Sequence, residues 1–401
     1  MKTIYKFSLF SLVLVFFFSA CQKDEVLNQK IEDNSKMYIL DSENGQVIDG
    51  EYIVVFNEDA IGSLKSAVSY EAKKELVKNE IESLFNTKSL DFVKYIYAES
   101  VCGFSGKLNN DQLLQLEKDS KIDYIEKDRV IMLGKPSWVG GGDDPVGEQE
   151  IPWGITRVNG GVSGIGLTAW IIDSGIDLTH PDLNVDANRA FSAFSKGKDK
   201  SPNDGNGHGT HVSGTIAAVD NNQGVIGVAA GATVVPIKVL DSRGSGSYSG
   251  VIDGVDYVAA NASAGDVANM SLGGPTSDAL DQAIKNAASK GIIFCLAAGN
   301  ESDDANNHSP ARVNHNNVYT ISAMDNNDSW ASFSNYGNPP IDYCAPGVNI
   351  KSCWKNGGYN TISGTSMASP HAAGILLLGA AHNDGTVNGD PDNNSDPIIV
   401  H

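Results

Sequence analysis

Three separated segments place an aspartate, a histidine and a serine among small residues: Ile171–Asp177 (IIDSGID), Gly207–Ala218 (GHGTHVSGTIAA) and Ser363–His371 (SGTSMASPH). A serine hydroxyl is a poor nucleophile until an imidazole takes its proton and a carboxylate orients that imidazole. Asp173, His208 and Ser366 supply the three groups in that chain order. The chemistry this set performs is acyl transfer, with hydrolysis when water is the acceptor.

The elements that must position these groups are legible around them. Trp170-Ile171-Ile172 is a short apolar run ending at Asp173 and followed by Ser174-Gly175, the pattern of a buried strand and a turn. A carboxylate at the end of such a strand is where an open α/β sheet presents its site residues. His208 lies between Gly207 and Gly209 at the start of a small-residue helix, and glycine on both sides permits close approach. Ser366 precedes the apolar helical run Ala372–Ala380, so it falls at a helix N-terminus, where N–H groups and the dipole favour a developing oxyanion. Ile292–Leu296 is another buried-strand pattern and runs into Ala297-Ala298-Gly299-Asn300.

Ahead of these motifs, residues 50–133 read as a separate small domain. Tyr52–Phe56, Phe92–Tyr97, Gly103–Leu108 and Ile122–Val130 are strand-like, and Ser66–Phe85 and Asp111–Lys118 are helical. The β-α-β-β-α-β order is ferredoxin-like. Residues 134–150 form a Gly- and Pro-rich linker, the place to expect chain cleavage. At the start, Lys2 and Lys6 precede the apolar run Phe7–Phe18, which is too short for an ordinary membrane span and reads as a targeting segment. The 401 residues allow two domains and a sizeable core, and the net charge of -20 argues against nucleic-acid binding. Apart from Cys21 and Cys102, three cysteines remain, so at most one bridge forms in the C-terminal part, with Cys344–Cys353 the candidate; no spacing suggests zinc.

The order Asp…His…Ser, with the flanking motifs, resembles the subtilisin-like serine peptidases (subtilases, family S8). The resemblance implies a three-layer α/β sandwich with a mostly parallel sheet over residues 151–401, preceded by a ferredoxin-like α+β inhibitory propeptide over 50–133. It implies a serine endopeptidase acting on proteins or peptides through an acyl-enzyme and made as a self-processing precursor that its own propeptide inhibits. Ser366 is then the nucleophile, His208 the general base and acid, Asp173 the orienting carboxylate and Asn300 an oxyanion-hole donor. Gly244, Ser245, Gly246, Leu272 and Gly273 correspond to the peptide-binding edges, Tyr248 to a distal subsite, and Glu301 to the pocket for the side chain before the scissile bond. With Asp303 and Asp304, Glu301 suggests an acidic rim that favours basic or polar side chains. Structural Ca2+ is implied at Gln149, Asp182, Val219, Asn221, Gln223 and Val225, with Asp342 at a second, weaker position. A hard cation taking six to eight oxygens suits such ligands. Asp390–Ser395 hints at a further calcium loop but lacks its glycine and terminal Glu, so it reads as a solvated acidic tail.

Phe18-Ser19-Ala20-Cys21 resembles a bacterial lipobox, making Cys21 the lipidated residue, 1–21 a lipoprotein signal peptide and 22–49 a tether. Gln22-Lys23-Asp24-Glu25 is similar to an acidic surface-export signal, so the expectation is an exported lipoprotein of the outer membrane or cell surface, with plain secretion as the alternative. One departure from the family pattern lies after the Ser366 helix, where Ala381–His401 is mostly polar and is expected to be either a trimmed variant of the family's end or a segment that packs differently. Two rival activities follow from the same residues: transpeptidation with an amine acceptor, and peptide binding without cleavage.

Overall fold

The computed structural model describes residues 43–57, 59–134, 137–138, 147–379 and 381–401. The proposed signal peptide, Cys21 and most of the linker lie outside the described residues.

The N-terminal part is a four-stranded antiparallel sheet with two helices. Its elements are β1 (Val47–Phe56), α1 (Tyr70–Leu84), β2 (Val93–Tyr97), β3 (Gly103–Lys107), α2 (Asn110–Leu116) and β4 (Ile122–Met132), with strand order β4-β1-β3-β2. This is the expected ferredoxin-like arrangement. The first helix starts four residues later than the sequence pattern predicts, because the Ser69 side chain accepts from the Ala72 N–H and sets the N-cap there.

The remainder is a layered α/β unit. Its central strands are β5 (Thr168–Asp173), β6 (Thr233–Lys238), β8 (Val267–Met270), β9 (Ile293–Ala297), β10 (Val318–Met324) and β11 (Ile341–Pro346), all parallel, in spatial order β11-β10-β9-β8-β5-β6. Between β6 and β8 the chain forms the edge segment β7 (Ser245–Ser247) and helix α4 (Tyr248–Asn261). Strands covered on both faces are apolar throughout, as in TAWIID of β5, where Ala169 through Asp173 are buried. Helices α3 (His208–Ala217) and α6 (Thr365–Leu378) pack on one face, whereas α4 and α5 (Asp278–Ala288) pack on the other. From β5 the chain crosses to β6 on one side and later returns to place β8 on the other. Asp173 and Ser271 therefore flank the crevice at a topological switch point.

The tail packs as its own sheet extension, one of the two expectations for it, while residues 390–395 stay largely exposed apart from Asp390. Residues 382–386 and 397–400 form an antiparallel hairpin that extends the sheet, with Ile398 opposite Cys344. Ile398, Ile399, Val400 and Val387 are buried, and so is Asp396, which accepts from Asn338 Nδ2 (2.7 Å) and from the Ser322 hydroxyl. The apolar PIIV run outweighs the surrounding polarity. Cys102, Cys295, Cys344 and Cys353 are free thiols, so the candidate Cys344–Cys353 bridge does not form.

The ferredoxin-like part docks on α4 and α5 through carboxylates. Asp128 accepts from the Ser249 N–H (3.1 Å) and Glu126 from the Ala279 N–H (3.1 Å), each in the first turn of a helix, where the dipole favours an anion. In the other direction Asp256 of α4 accepts the N–H groups of Ala98, Glu99 and Ser100 at 2.6–3.2 Å. Asp253, one turn earlier, is buried beside Lys74 (3.5 Å), and burial pushes its carboxyl up to about 7. Docking thus favours its neutral form, a contribution fully present below the ordinary carboxylate range and lost as pH rises through about 7. Hydrogen exchange across Tyr95–Ser100, corrected for its intrinsic pH dependence, is expected to quicken between pH 6 and 8, and an Asp253→Asn precursor to remove that step. An unchanged step in the variant would assign it to another group.

Candidate active site

Asp173 ends β5 and has no solvent exposure. Its carboxylate accepts from the Ser174 N–H (2.6 Å) and meets His208 Nδ1 with both oxygens at 2.9 Å. The approach requires a helix start pressed against a strand end. A Cβ on Gly209 would stand 2.1 Å from the Gly175 carbonyl oxygen and 3.2 Å from Asp173 Cβ. The glycine after His208 therefore serves the close approach of Asp173, the partner of the imidazole. Gly207, at φ +115°, makes the left-handed turn into the helix. Burial alone depresses protonation of His208; the facing Asp173 carboxylate, with Asp204 farther off, outweighs it and raises the imidazole above its ordinary value.

Two residues beneath this pair were not singled out from the sequence. Asp204, fully buried, accepts from Asn206, Gly207 and Thr210 N–H groups, from the Thr210 hydroxyl, and from Ser174 Oγ, which in turn accepts from the Gly209 N–H. It caps α3 and ties the His208 turn to the Asp173 turn. Lys238 lies opposite Asp173 across β5 and β6, has no exposure, and donates to the Ser174 carbonyl (2.6 Å). A lone charge ending an apolar strand, and a short acidic residue just before a helix start, were the available signals.

Ser366 lies in the first turn of α6. Pro370, four residues on, has no N–H to give the Ser366 carbonyl. The Ser271 hydroxyl takes that place at 2.8 Å and pins the helix start to the end of β8. The Ser366 hydroxyl donates to the Ser271 carbonyl (3.2 Å), not to His208, in this state. Asn300 follows β9; its Oδ1 accepts from the Thr365 N–H (2.8 Å) and hydroxyl (3.1 Å), so its Nδ2 faces the groove. His180, His211 and His371 are structural: each bonds a backbone carbonyl, and burial pushes His211 down to about 3 and His371 to about 4.

Ser366, Asn300, Leu272, Gly273 and Glu301 line one slot, with His308 as an unforeseen member. The expected acidic rim is reduced to Glu301. Asp303 pairs with His308 Nε2 (3.2 Å), and Asp304 caps the following turn through the Asn306 N–H. Along the groove, residues 130–132 pair antiparallel with Ser245–Ser247, and the Leu133 N–H donates to the Gly244 carbonyl (2.9 Å). Ile131 is buried in the cluster that includes Tyr248, Leu240 and Leu272. The predicted peptide-binding edge at Gly244–Gly246 is thus covered by the C-terminal strand of the ferredoxin-like part, while the Gly273 carbonyl of the other edge accepts from Asn44 Nδ2 (3.0 Å).

The predicted calcium ligands converge. Gln149 Nε2 donates to the carbonyls of Val219 (3.0 Å) and Val225 (3.5 Å), and Asn221 Nδ2 donates to Asp182 Oδ1 (2.6 Å). Gln223 contributes its N–H to Asn221 Oδ1 (2.7 Å). Two amide N–H groups stand where these oxygens seek positive charge; a flip of the Gln149 amide would present a further oxygen, whereas the Gln223 N–H holds Asn221 Oδ1 where it is. The donor set fits a hard cation. Asp342 stands apart: its carboxylate accepts from the Thr320 N–H (2.9 Å), and burial pushes it up to about 6. Among the described residues no three His, Cys, Asp or Glu side chains cluster to hold a metal.

Comparison with known proteins gives this geometry a context. The profile described as "Subtilase family" matches residues 164–389, and "Peptidase inhibitor I9" matches 51–133. Alkaline serine exoprotease A of Vibrio alginolyticus is 39% identical over 344 residues, covering 82% of this chain and 60% of that protein. An alkaline protease of Alkalihalobacillus alcalophilus is 37% identical over 335 residues, covering 82% and 80%. A crystal structure of a cold-adapted subtilisin-like serine proteinase superimposes with a TM-score of 0.54 at 38% identity, over 61% of this chain and 96% of that one. The chain belongs to the subtilase family of subtilisin-like serine peptidases, and an inhibitor I9 domain precedes its peptidase domain.

Proposed function

We propose that this chain is the precursor of a serine endopeptidase in which Asp173, His208 and Ser366 form the catalytic triad. The observation that carries the reading is the buried Asp173–His208 pair, with both carboxylate oxygens 2.9 Å from Nδ1. It fixes the tautomer that leaves Nε2 to accept a proton. Rotation of the Ser366 side chain from the Ser271 carbonyl towards His208 makes the hydroxyl nucleophilic. Attack on a peptide carbonyl gives an oxyanion that the Asn300 amide and the Ser366 N–H stabilise. His208 then protonates the leaving amine, and water hydrolyses the ester by the same proton path. An extended peptide pairs with Gly244–Gly246 and with Leu272–Gly273 by strand addition. The strand now on that edge is the chain's own residues 130–132, which makes the I9 domain an inhibitor in cis. Hydrolysis is favoured over the transpeptidase and non-cleaving alternatives because all four chemical positions are present and the groove is already filled by a substrate-like strand. Export as a lipoprotein anchored at Cys21 remains the reading of the N-terminus.

Asp173→Asn is expected to lower kcat by about 10⁴-fold while leaving the fold intact. The acid limb of the wild-type pH–rate profile should lie above the ordinary histidine value, since a raised imidazole must lose its proton to act as base, and should move down in the variant. A limb unmoved by this substitution would detach Asp173 from His208.

Calcium at the Gln149–Asp182–Val219–Asn221–Gln223–Val225 cluster would tie the start of the peptidase domain to the loop after α3. Saturating calcium at about 100 Kd adds about 2.7 kcal/mol to stability. The Tm of a Ser366→Ala precursor should rise with calcium and fall with a chelator, and Asp182→Asn should abolish the difference. A calcium-independent Tm would remove the ion from this site.

Glu301 at the slot predicts a preference for lysine or arginine before the scissile bond. Because Glu301 is 45% exposed, Glu301→Gln should reduce kcat/KM for such substrates only several-fold, on the scale of a weak surface ion pair. A profile confined to large apolar residues would contradict this role.

A further inference from the structure

Residues 130–132 and Ser137–Trp138 are each paired with a segment next to the Ser366 site. On the upstream side the register is Val130 opposite Ser247, Ile131 opposite Gly246 and Met132 opposite Ser245, continued by the Leu133 N–H on the Gly244 carbonyl. On the downstream side Ser137 pairs with Ser363 and Trp138 with Ile362, in the strand that leads directly into the Ser366 helix. Only three residues, 134–136, separate the two pairings in the sequence. Leu133 belongs to the upstream side: its Cδ1 lies 3.0 Å from where a Cβ on Gly244 would stand. Gly134 is the residue that lines the slot together with Ser366, and its own Cβ position is 3.4 Å from Asn300 Nδ2, the amide assigned to the oxyanion.

We infer that the self-cleavage bond of the precursor is Gly134–Lys135. This rests on the peptidase reading above. Ser366 Oγ bonds to the Gly134 carbonyl carbon and its proton passes to His208 Nε2. The bond to the Lys135 nitrogen breaks, and His208 returns the proton to that amine. Water then hydrolyses the ester, leaving Gly134 as a carboxylate and restoring the serine hydroxyl. The following bond, Lys135–Pro136, carries a proline nitrogen. The products are an I9 domain ending in Gly134, still paired along β7, and a peptidase domain beginning at Lys135.

Gly134 contributes no side chain to the slot, so cleavage here is specified by strand pairing, not by the residue before the bond. That distinguishes it from substrates chosen through Glu301 and His308.

The test is peptide mapping of the first new termini formed by the full chain over time. An Asn300→Ala variant is included because losing one oxyanion donor slows turnover by about 10²–10³-fold and lets the first products accumulate before any trimming. The expected result is a C-terminus at Gly134 and an N-terminus at Lys135 in both, with Ser366→Ala intact. Lys135→Pro should slow this cut by on the order of 10²-fold through misplacement of the leaving nitrogen. First termini elsewhere that still require Ser366, or an undiminished cut at Gly134 in Lys135→Pro, would overturn the assignment while leaving the peptidase reading intact. No cut in the wild type, or the same cut in Ser366→Ala, would contradict the peptidase reading and this bond with it.

Discussion

The rest of the site depends on one buried carboxylate. Asp173 ends a central parallel strand with no exposure to water, and an ionisable group there needs partners on every side. The Ser174 N–H and the His208 imidazole meet it directly. Lys238, from the neighbouring strand, fixes the turn through the Ser174 carbonyl, and Asp204 gathers the N–H groups of the turn that carries His208. The carboxylate thus joins the strand end to the start of the His208 helix, while Lys238 and Asp204 hold the two turns on which that pair rests. Ser366 comes from a helix on the same face of the sheet and is pinned separately, through the carbonyl that Pro370 leaves without an intrahelical partner.

The interface with the I9 domain obeys similar rules at lower cost. Glu126 and Asp128 meet helix N-termini, where unsatisfied N–H groups already exist, and Asp256 returns the favour to three successive N–H groups of the other domain. The groove is filled by main-chain pairing, which any extended peptide can imitate. On the proposed reading, a precursor strand and a substrate compete for the same edge. On that reading, release of the I9 domain breaks the carboxylate contacts as well as the ladder, and Asp253, buried beside Lys74, is the group expected to lend it a pH dependence.

The legible part of the site was the part whose residues announce themselves locally. IIDSG, GHGTH, GTSMASP and AAGN each combine a reactive side chain with the small residues that close approach demands; the structure joins the first two through the Asp173–His208 pair and brings Ser366 and Asn300 of the other two into one slot. The ferredoxin-like order was readable because its strands and helices alternate with clear periodicity. Less readable was whatever depends on long-range contact. Lys238 and Asp204 act through backbone atoms of distant turns, and His308 enters the slot from a loop with no pattern of its own. The acidic rim failed for the same reason: Asp303 and Asp304 are adjacent to Glu301 in sequence, yet local hydrogen bonds turn them to His308 and Asn306. The tail left two expectations open because its many Asn and Asp residues hid a four-residue apolar strand that suffices to dock on the sheet edge.

The central claim, a serine activated through a buried Asp–His pair, is tested most directly by covalent titration. A fluorophosphonate probe applied to the mature enzyme should label one residue per chain. Tandem mass spectrometry should place the adduct on Ser366, and His208→Ala should abolish it while the folded peptidase domain persists. Labelling that is absent from a folded, processed wild-type enzyme, or that survives unchanged without His208, would contradict the account.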